Sequence, residues 1–307
     1  MALFDYMETT QGFLRDRAQK NMNPNDLIRY VNRARREIAM RSQCLRVVPP
    51  TSGQIETIQV TAGGSGYTNP TVTISAPDLP NGKLPNPNGA QATATAQILG
   101  GQISNISLTF GGDGYAQPTV TITDPTGSGA TATAQTSPIS TFNANQERYL
   151  YADFPVSAEP GIKSVFAVLD VSILYNNLRY TLLRYAFSEY QAFIRQYPFQ
   201  FSYVPIAYTT FNDGTTGGIL AYPFPSQQYP FEPDCLCLPQ DLTSDQDFEA
   251  IPEPWTEGVP FLAAHYAFAE LQSYNNARYW LDQFSMWTLR YSVYARPRMI
   301  GSPYGRR

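Results

Sequence analysis

The sequence has little charge, a single histidine and few cysteines. Charged residues make up 15% of the chain, below the usual quarter for a globular protein. We predict that His265, in an aromatic helical pattern, is a packed or hydrogen-bonded core imidazole. Cys235 and Cys237 are too close in sequence for an ordinary zinc pair. They and Cys44 should be buried or partly buried free thiols in a reducing compartment, and the sequence predicts no metal and no cofactor.

The sequence also lacks the patterns of an enzyme or a membrane protein. No Ser/His/Asp or Cys/His arrangement has a supporting local motif. Paired acids occur at Asp245/Asp247 and Glu253/Glu257, where capping or solvation explains them. No apolar run approaches the ~18 residues of a membrane span, and residues 1–20 lack the apolar core of a signal peptide. We therefore expect no catalysis and no membrane partner.

Aromatic residues are abundant, at 13% of the chain with 21 Tyr. Tyr, Trp and Arg are enriched at interfaces, which favours an assembly component; a β-rich domain with many Tyr is the alternative. The net charge of −4 gives no overall argument for nucleic-acid binding. Arginines gather in 15–46 and at the C-terminus, and acids gather in 232–257. Contacts between copies and contacts within one chain both satisfy this pattern.

The N-terminal region predicts two helices. Residues 23–26 are a strong helix start, with Asn as the cap and Pro at the first helical position. This helix should run to about Gln43 and pack by one side. Its apolar stripe is Leu27, Val31, Ala34 and Ile38. Its arginines leave nucleic-acid contact as a minor alternative, and a shorter amphipathic helix is predicted over 9–20.

Residues 254–307 predict a long aromatic helix, or two successive helices, followed by a basic tail. Residues at steps of three and four share one face: Leu262, Tyr266, Ala269, Ser273, Ala277, Trp280, Phe284, Trp287, Tyr291 and Tyr294. Asn275-Asn276 is the expected interruption. Pro297 should end the helical part near Arg296. The tail after it is too small and polar to form a core, so it should be disordered or docked on something else.

Residues 53–75 and 101–123 form a sequence repeat. Tyr67 corresponds to Tyr115 at an offset of 48, and ATATAQ occurs at 92–97 and again at 130–135. Alternation of Val or Ile with Thr predicts half-buried strands, and the Gly pairs predict turns. We predict an inserted all-β module of two similar units over 51–138. Its loops lack the Lys and helix of a phosphate cradle, and its Asp residues lack the spaced partners of a calcium site.

The middle of the chain mixes strand and helix patterns. Strands are predicted over 149–154 and 164–175, and a helix over 181–197. A hairpin or long arm with exposed aromatics is predicted from 201–211 and 218–224. The Pro-interrupted stretch 221–239 predicts an edge element or an arm that lies on a neighbouring molecule.

Three segments resemble proteins of tailed bacteriophages. Residues 26–46, DLIRYVNRARREIAMRSQCLR, are similar to the opening helix of head–tail adaptor (connector) proteins of short-tailed phages. Residues 247–271, DFEAIPEPWTEGVPFLAAHYAFAEL, are similar to the start of the C-terminal helices in such proteins. The segment GSGYTNPTVTIS resembles β-repeats inserted in many phage head and tail proteins. Residues 139–240 carry no matching motif, and the minimal adaptors lack the 51–138 insert.

The expected fold is α+β. It has a helical bundle from N-terminal, central and C-terminal helices, a β-strand and hairpin region, and an inserted all-β repeat domain. Residues 1–50 and 139–295 would form the adaptor body, 51–138 the inserted domain, and 296–307 an extended C-terminal tail.

The resemblance implies a virion structural protein at the head–tail interface, assembled in the host cytoplasm. It would form a dodecameric ring between portal and tail, extend the DNA channel without sequence-specific binding, and contact nozzle or fibre proteins. In the family the C-terminal tail docks on the portal, which predicts these portal contacts: Arg290, Tyr294, Arg296, Arg298, Met299, Ile300, Tyr304, Arg306 and Arg307. The alternatives are a tail nozzle, tube or fibre-attachment component and a carbohydrate-binding accessory protein.

Overall fold

The computed structural model describes residues 2–15, 22–77, 90–175, 178–196, 203–212 and 214–295. The α-helices in this part of the chain are α1 (Leu3–Leu14), α2 (Pro24–Ser42), α3 (Phe187–Gln196), α4 (Val259–Glu270) and α5 (Tyr274–Ala295). The strands are β1 (Arg46–Val47), β2 (Ile55–Ser65), β3 (Thr71–Ile74), β4 (Thr93–Leu99), β5 (Gln102–Phe110), β6 (Val120–Thr123), β7 (Ser128–Thr136), β8 (Thr141–Phe142), β9 (Arg148–Leu150), β10 (Ile162–Tyr175), β11 (Leu178–Thr181), β12 (Leu183–Arg184), β13 (Ala207–Phe211), β14 (Gly218–Tyr222) and β15 (Tyr229–Pro239).

The chain divides into two compact units. The first, which we call the helical unit, comprises Met1–Arg46, Ser157–Ser164 and Leu236–Arg307. The second, the strand unit, comprises Val47–Val156 and Val165–Cys235. Helices α1, α2, α4 and α5 belong to the helical unit, whereas α3 belongs to the strand unit.

The predicted bundle of N-terminal, central and C-terminal helices is wrong. Strands hold more residues than helices, and the central helix α3 belongs to a different unit from the other four. The helical spacing over 181–197 was misleading because its first residues pair as strands. Strand β11 pairs antiparallel with β10, and β12 pairs with β13. Sheet pairing overrides local helical spacing there, so α3 begins only at Phe187.

Helix α2 begins as the sequence predicts. The Asn23 side chain accepts a hydrogen bond from the Asn25 N–H at 3.0 Å, and Pro24 is the first helical residue. The predicted apolar stripe from Leu27 to Ile38 is buried. Helix α1 starts earlier than predicted, because the Asp5 carboxylate caps it by accepting the Ala2 N–H at 2.8 Å. The end of the predicted 9–20 helix lies outside the described residues.

The C-terminal helical pattern is two helices, as one of the two predicted arrangements requires. The break falls at 271–273, where Gln272 has a φ of 55°, slightly before the predicted Asn275-Asn276. Asn276 is accommodated in the first turn of α5, where its side chain donates to the Ser273 hydroxyl at 3.0 Å. Helix α5 runs to Ala295, the last described residue, so the predicted helix end near Arg296 lies outside the described residues.

Two sheets form much of the strand unit's framework. One has the order β12-β13-β14-β9, and the other has the order β1-β15-β10-β11 with β8 also paired to β15. The predicted hairpin is present as β13 and β14. Its aromatics are exposed only in part: Tyr208 and Tyr222 are buried, whereas Tyr203 and Phe224 are 52% and 44% exposed.

Strand β15 also corrects the predicted arm over 221–239. It lies inside its sheet rather than at the edge. Phe231 stacks on Phe142 with ring centroids 4.1 Å apart, and Phe154 meets Phe231 edge-on. Cys235 is completely buried. This apolar packing compensates for the ladder hydrogen bonds that the prolines cannot donate.

The repeat folds as a module with its own core. The core residues are Ile55, Ile58, Tyr67, Ile74, Ala92, Ile103, Ile106 and Tyr115. Strand β2 pairs with β7, β3 with β6, and β4 with β5. Each pair takes one strand from each repeat, so neither repeat completes its own sheets.

The strand registers relate the two repeats by a pseudo-two-fold axis. Thr73 pairs with Thr121, its own equivalent in the other repeat. Ile58 pairs with Ala134, and the equivalent Ile106 pairs with Ala96. The bulge in the β2–β7 pair recurs at the equivalent place in the β4–β5 pair. The two repeats of the sequence therefore make equivalent strand pairings.

The Gly-Tyr motifs connect one repeat to the other. The Tyr67 hydroxyl accepts the Ala130 N–H at 3.0 Å, and the Tyr115 hydroxyl accepts the Ala92 N–H at 2.8 Å. Gly64 and Gly112 have φ values of 63° and 67°. A Cβ at either would lie within 2.8 Å of the neighbouring strand and of a tyrosine ring. Only glycine fits both the backbone and the space.

Candidate assembly surface

The inner face of α5 is an aromatic seam. Phe284 and Trp287 are buried. Trp287 meets Trp255 edge-on with ring centroids 5.7 Å apart. A Cβ at Gly258 would lie 2.4 Å from the Trp287 ring, so this glycine permits the close packing. The seam fixes α5 in the helical unit by one side only.

Helix α1 joins the same packing through one aromatic residue. The Phe13 ring stacks on Trp280 at 4.3 Å and on Phe261 at 5.5 Å. The lone histidine, His265, lies on α4, four residues after Phe261. Its Nδ1 lies 2.8 Å from the Ala277 carbonyl oxygen of α5. This contact between α4 and α5 confirms the prediction of a hydrogen-bonded imidazole.

A buried ion pair lies beneath α2. The Arg35 side chain is completely buried, and Glu249 is 9% exposed. Arg35 donates from Nε and Nη2 to the two Glu249 oxygens at 2.9 and 2.8 Å, and from Nη1 to the Gln240 carbonyl at 2.6 Å. Burial and the negative charge of Glu249 raise the pKa of the neighbouring Tyr6.

This ion pair corrects the prediction that α2 packs by one side only. Asn32 holds the same loop, since its amide donates to the Leu242 carbonyl and accepts the Leu242 N–H, both at 2.8 Å. Asn32 and Arg35 each follow a residue of the apolar stripe in the sequence, but as polar residues they add nothing to its hydrophobic periodicity. The sequence reasoning therefore missed them.

Several other charges, most of them in the basic and acidic segments, are paired within the chain. Arg36 and Lys163 both contact Asp241, at 2.6 and 3.0 Å. Asp247 accepts hydrogen bonds from its own loop, and the N–H groups of Thr243 and Ser244 lower its pKa to about 2. For these residues the structure favours contacts within the chain over contacts between copies.

The outer face of α5 is partly apolar and exposed. Tyr279 is 55% exposed, Met286 61% and Leu289 69%. With Asp282 they form a 3-4-3 spacing, which is the spacing of a helix-packing seam. Arg278, Asp282 and Arg290 are exposed on the same side. An apolar seam of this kind suits docking of another protein surface.

Of the predicted portal-contact residues, Arg290 and Tyr294 lie on α5. Arg290 is exposed on α5. Tyr294 is in the last turn of α5, and its side chain lies outside the described residues. The other predicted contacts also lie outside them: Arg296, Arg298, Met299, Ile300, Tyr304, Arg306 and Arg307. Sequence reasoning missed Tyr279 and Met286, although their seven-residue spacing opposite the aromatic seam was a usable signal.

The described residues show no metal-binding cluster. No group of three His, Cys, Asp or Glu side chains among them is placed to hold a metal ion. Cys235 and Cys237 are buried, Cys44 is half-buried, and none of the three is in a disulfide, as predicted; burial raises the pKa of the Cys44 thiol. No α-helix in the described ranges has the length and hydropathy to cross a bilayer.

No protein-family model matches the chain, and no curated protein matches it significantly.

Proposed function

We propose that this protein is a non-catalytic virion component of a short-tailed bacteriophage, an adaptor whose ring joins the portal to the tail and extends the DNA channel. The observation that carries the proposal is the exposed apolar seam of α5, which leads directly into the basic residues 296–307. A helix fixed on one side and apolar on the other fits a partner surface. The resemblance of residues 26–46 and 247–271 to phage adaptors supplies the partner.

The experiment is mass photometry of the purified protein, alone and mixed with the portal protein of the same phage. We expect a discrete ring-sized species with the portal. Deletion of 297–307 should abolish this species and leave the Trp fluorescence of the helical unit unchanged. A full-length variant with Arg298, Arg306 and Arg307 changed to Gln separates the effect of charge from that of chain length. A truncated protein that still assembles on the portal would contradict the proposal.

A second candidate is a tail nozzle, tube or fibre-attachment component. The large share of residues in strands favours this candidate. Strand β11 also favours it, because its Leu178 and Tyr180 are exposed at the edge of a sheet. An exposed apolar edge is a site for strand addition. Binding to purified tail proteins without binding to the portal would favour this candidate over the adaptor.

A further inference from the structure

The outer face of α5 combines apolar and basic residues. We define the α5 face as Arg278, Tyr279, Asp282, Met286, Leu289 and Arg290. Two arginines and one aspartate give it a net charge of +1. Its apolar members are each more than half exposed. A partner surface should therefore offer apolar contact with excess negative charge.

A second surface of the helical unit has that chemistry. We define the α1 patch as Phe4, Asp5, Glu8, Asp245 and Phe248. The Phe4 N–H donates to Asp245 Oδ1 at 2.7 Å, which joins the start of α1 to the 243–248 loop. Phe4 is 60% exposed and Phe248 is 59% exposed. Residues 2–14 and 240–258 contain no Lys or Arg, so the patch carries three negative charges and no positive one.

Neither surface pairs well with itself. Two α1 patches would bring three carboxylates against three, and like charges placed together oppose association. Two α5 faces would bring together surfaces of the same net sign. The α5 face and the α1 patch match in both apolar content and charge sign. They are different surfaces of one unit, and such a heterologous contact repeats from copy to copy into rings or filaments.

We propose that the α5 face of one copy binds the α1 patch of the next copy. This contact rests on the proposed ring function and deepens it, because it supplies the interface between neighbours. Met286 and Tyr279 would pack against Phe4 and Phe248, with Arg278 and Arg290 flanking Asp5, Glu8 and Asp245. The proposal assigns Arg290 to the neighbouring copy and leaves portal docking to the residues after 295.

The test uses complementary charge reversal in the full chain. One variant carries Arg278→Glu with Arg290→Glu, and the other carries Asp5→Arg with Glu8→Arg. Each alone places like charges at the contact, so we expect self-association in sedimentation velocity to weaken by about tenfold or more. An equimolar mixture restores opposite charges at every contact and should regain wild-type association. Glu56→Arg, at an exposed position of the repeat module, is a control for charge placed away from the contact; it changes the net charge by +2, half the change of the Asp5→Arg/Glu8→Arg variant.

Recovery in the mixture also shows that both variants are folded. Wild-type self-association by the Asp5→Arg/Glu8→Arg variant would overturn the proposal. A mixture that stays monomeric would also overturn it, provided that this variant, which loses the Asp5 cap of α1, keeps the far-UV circular dichroism and Trp fluorescence of the wild type. The same proteins are then mixed with the portal. If wild type and both variants all form the ring there, the contact is wrong and the adaptor function stands. If the wild type neither self-associates nor binds the portal, both the proposed contact and the adaptor function are wrong.

Discussion

The repeat module and the helical unit are built from contacts of different kinds. In the module, a contact made by one repeat recurs in the other, as the tyrosine hydroxyls on Ala130 and Ala92 show. In the helical unit, the main contacts are single and join distant segments, such as Arg35 with Glu249 and Phe13 with Trp280. The module spreads its stability over duplicated local features, whereas the helical unit depends on a few long-range ones.

The two regions can be observed separately. All three Trp residues of the sequence, Trp255, Trp280 and Trp287, belong to the helical unit. Trp fluorescence therefore reports on that unit, and hydrogen exchange of peptides from 53–137 reports on the module. Each prediction below changes one region and uses the other as an internal reference.

The largest effect is expected from breaking the buried ion pair. Arg35→Ala leaves the Glu249 carboxylate buried without its bidentate partner, so the free energy of unfolding should fall by about 3–5 kcal/mol. Urea denaturation followed by Trp fluorescence measures the loss. The module peptides should keep their exchange protection under native conditions.

Two further variants test the cause of that loss. Arg29→Ala removes the exposed pair with Asp26 on the same helix, and should cost less than about 1 kcal/mol. Arg35→Met combined with Glu249→Leu removes both charges and should recover part of the stability, since apolar replacement of a buried pair is often tolerated. Equal losses for Arg35→Ala and Arg29→Ala would mean that burial of the pair does not matter.

The same contrast explains what the sequence could predict. The module was predictable because its strand and turn patterns occur twice in the sequence. The offset between the two copies also shows which strands are equivalent. Helix α2 was predictable from its local start signal at Asn23 and Pro24. The site of Arg35 was not, because its partner Glu249 lies 214 residues away and nothing local marks it.

The errors have the same origin. Residues 181–184 belong to the predicted helical spacing, but pairing with β10 and β13 places them in strands β11 and β12. The proline-rich β15 is inside a sheet because Phe231 and Cys235 are buried there. On α5 the buried aromatic seam was predictable from periodicity, whereas the sequence reasoning missed Tyr279 and Met286, which the structure shows to be exposed.

The second prediction tests the pseudo-symmetry of the module. Gly64→Ala and Gly112→Ala each force a Cβ into the neighbouring strand at a positive φ. Each should reduce local stability by about 2–4 kcal/mol, and the two losses should agree. Gly100 has a φ of 62°, but the space around a Cβ there is open. Gly100→Ala should therefore reduce local stability by only about 1–2 kcal/mol. Hydrogen exchange of the full chain measures all three, and unequal losses for Gly64 and Gly112 would argue against equivalent repeats.

The third prediction concerns a small asymmetry between the repeats. Tyr67→Phe and Tyr115→Phe each remove a hydroxyl that accepts a backbone N–H, at a cost of about 1 kcal/mol. The Tyr115 hydroxyl also donates to the Ser75 carbonyl at 2.9 Å, so Tyr115→Phe should be the more destabilising. Exchange rates at Ala92 and Ala130 give the direct readout. A larger effect at Tyr67 would contradict this hydrogen-bond assignment.

The smallest effect is expected from Asp247, in the helical unit. The N–H groups of Thr243 and Ser244 and the Thr243 hydroxyl stabilise its carboxylate and lower its pKa to about 2, against about 3.9 in an unfolded chain. The charged form therefore contributes stability above pH ~4, and this contribution is lost as the pH falls towards 2.

Asp247→Asn should accordingly be less stable than wild type at pH 6, and the difference should shrink between about pH 4 and pH 2. Thr243→Ala, which removes only the hydroxyl donor, should give a smaller difference with the same pH dependence. Urea denaturation followed by Trp fluorescence at several pH values measures both. A difference that stays constant down to pH 2 would mean that Asp247 acts through its shape and not through its charge. In that case the 243–247 loop, like the module, would be held by neutral local hydrogen bonds.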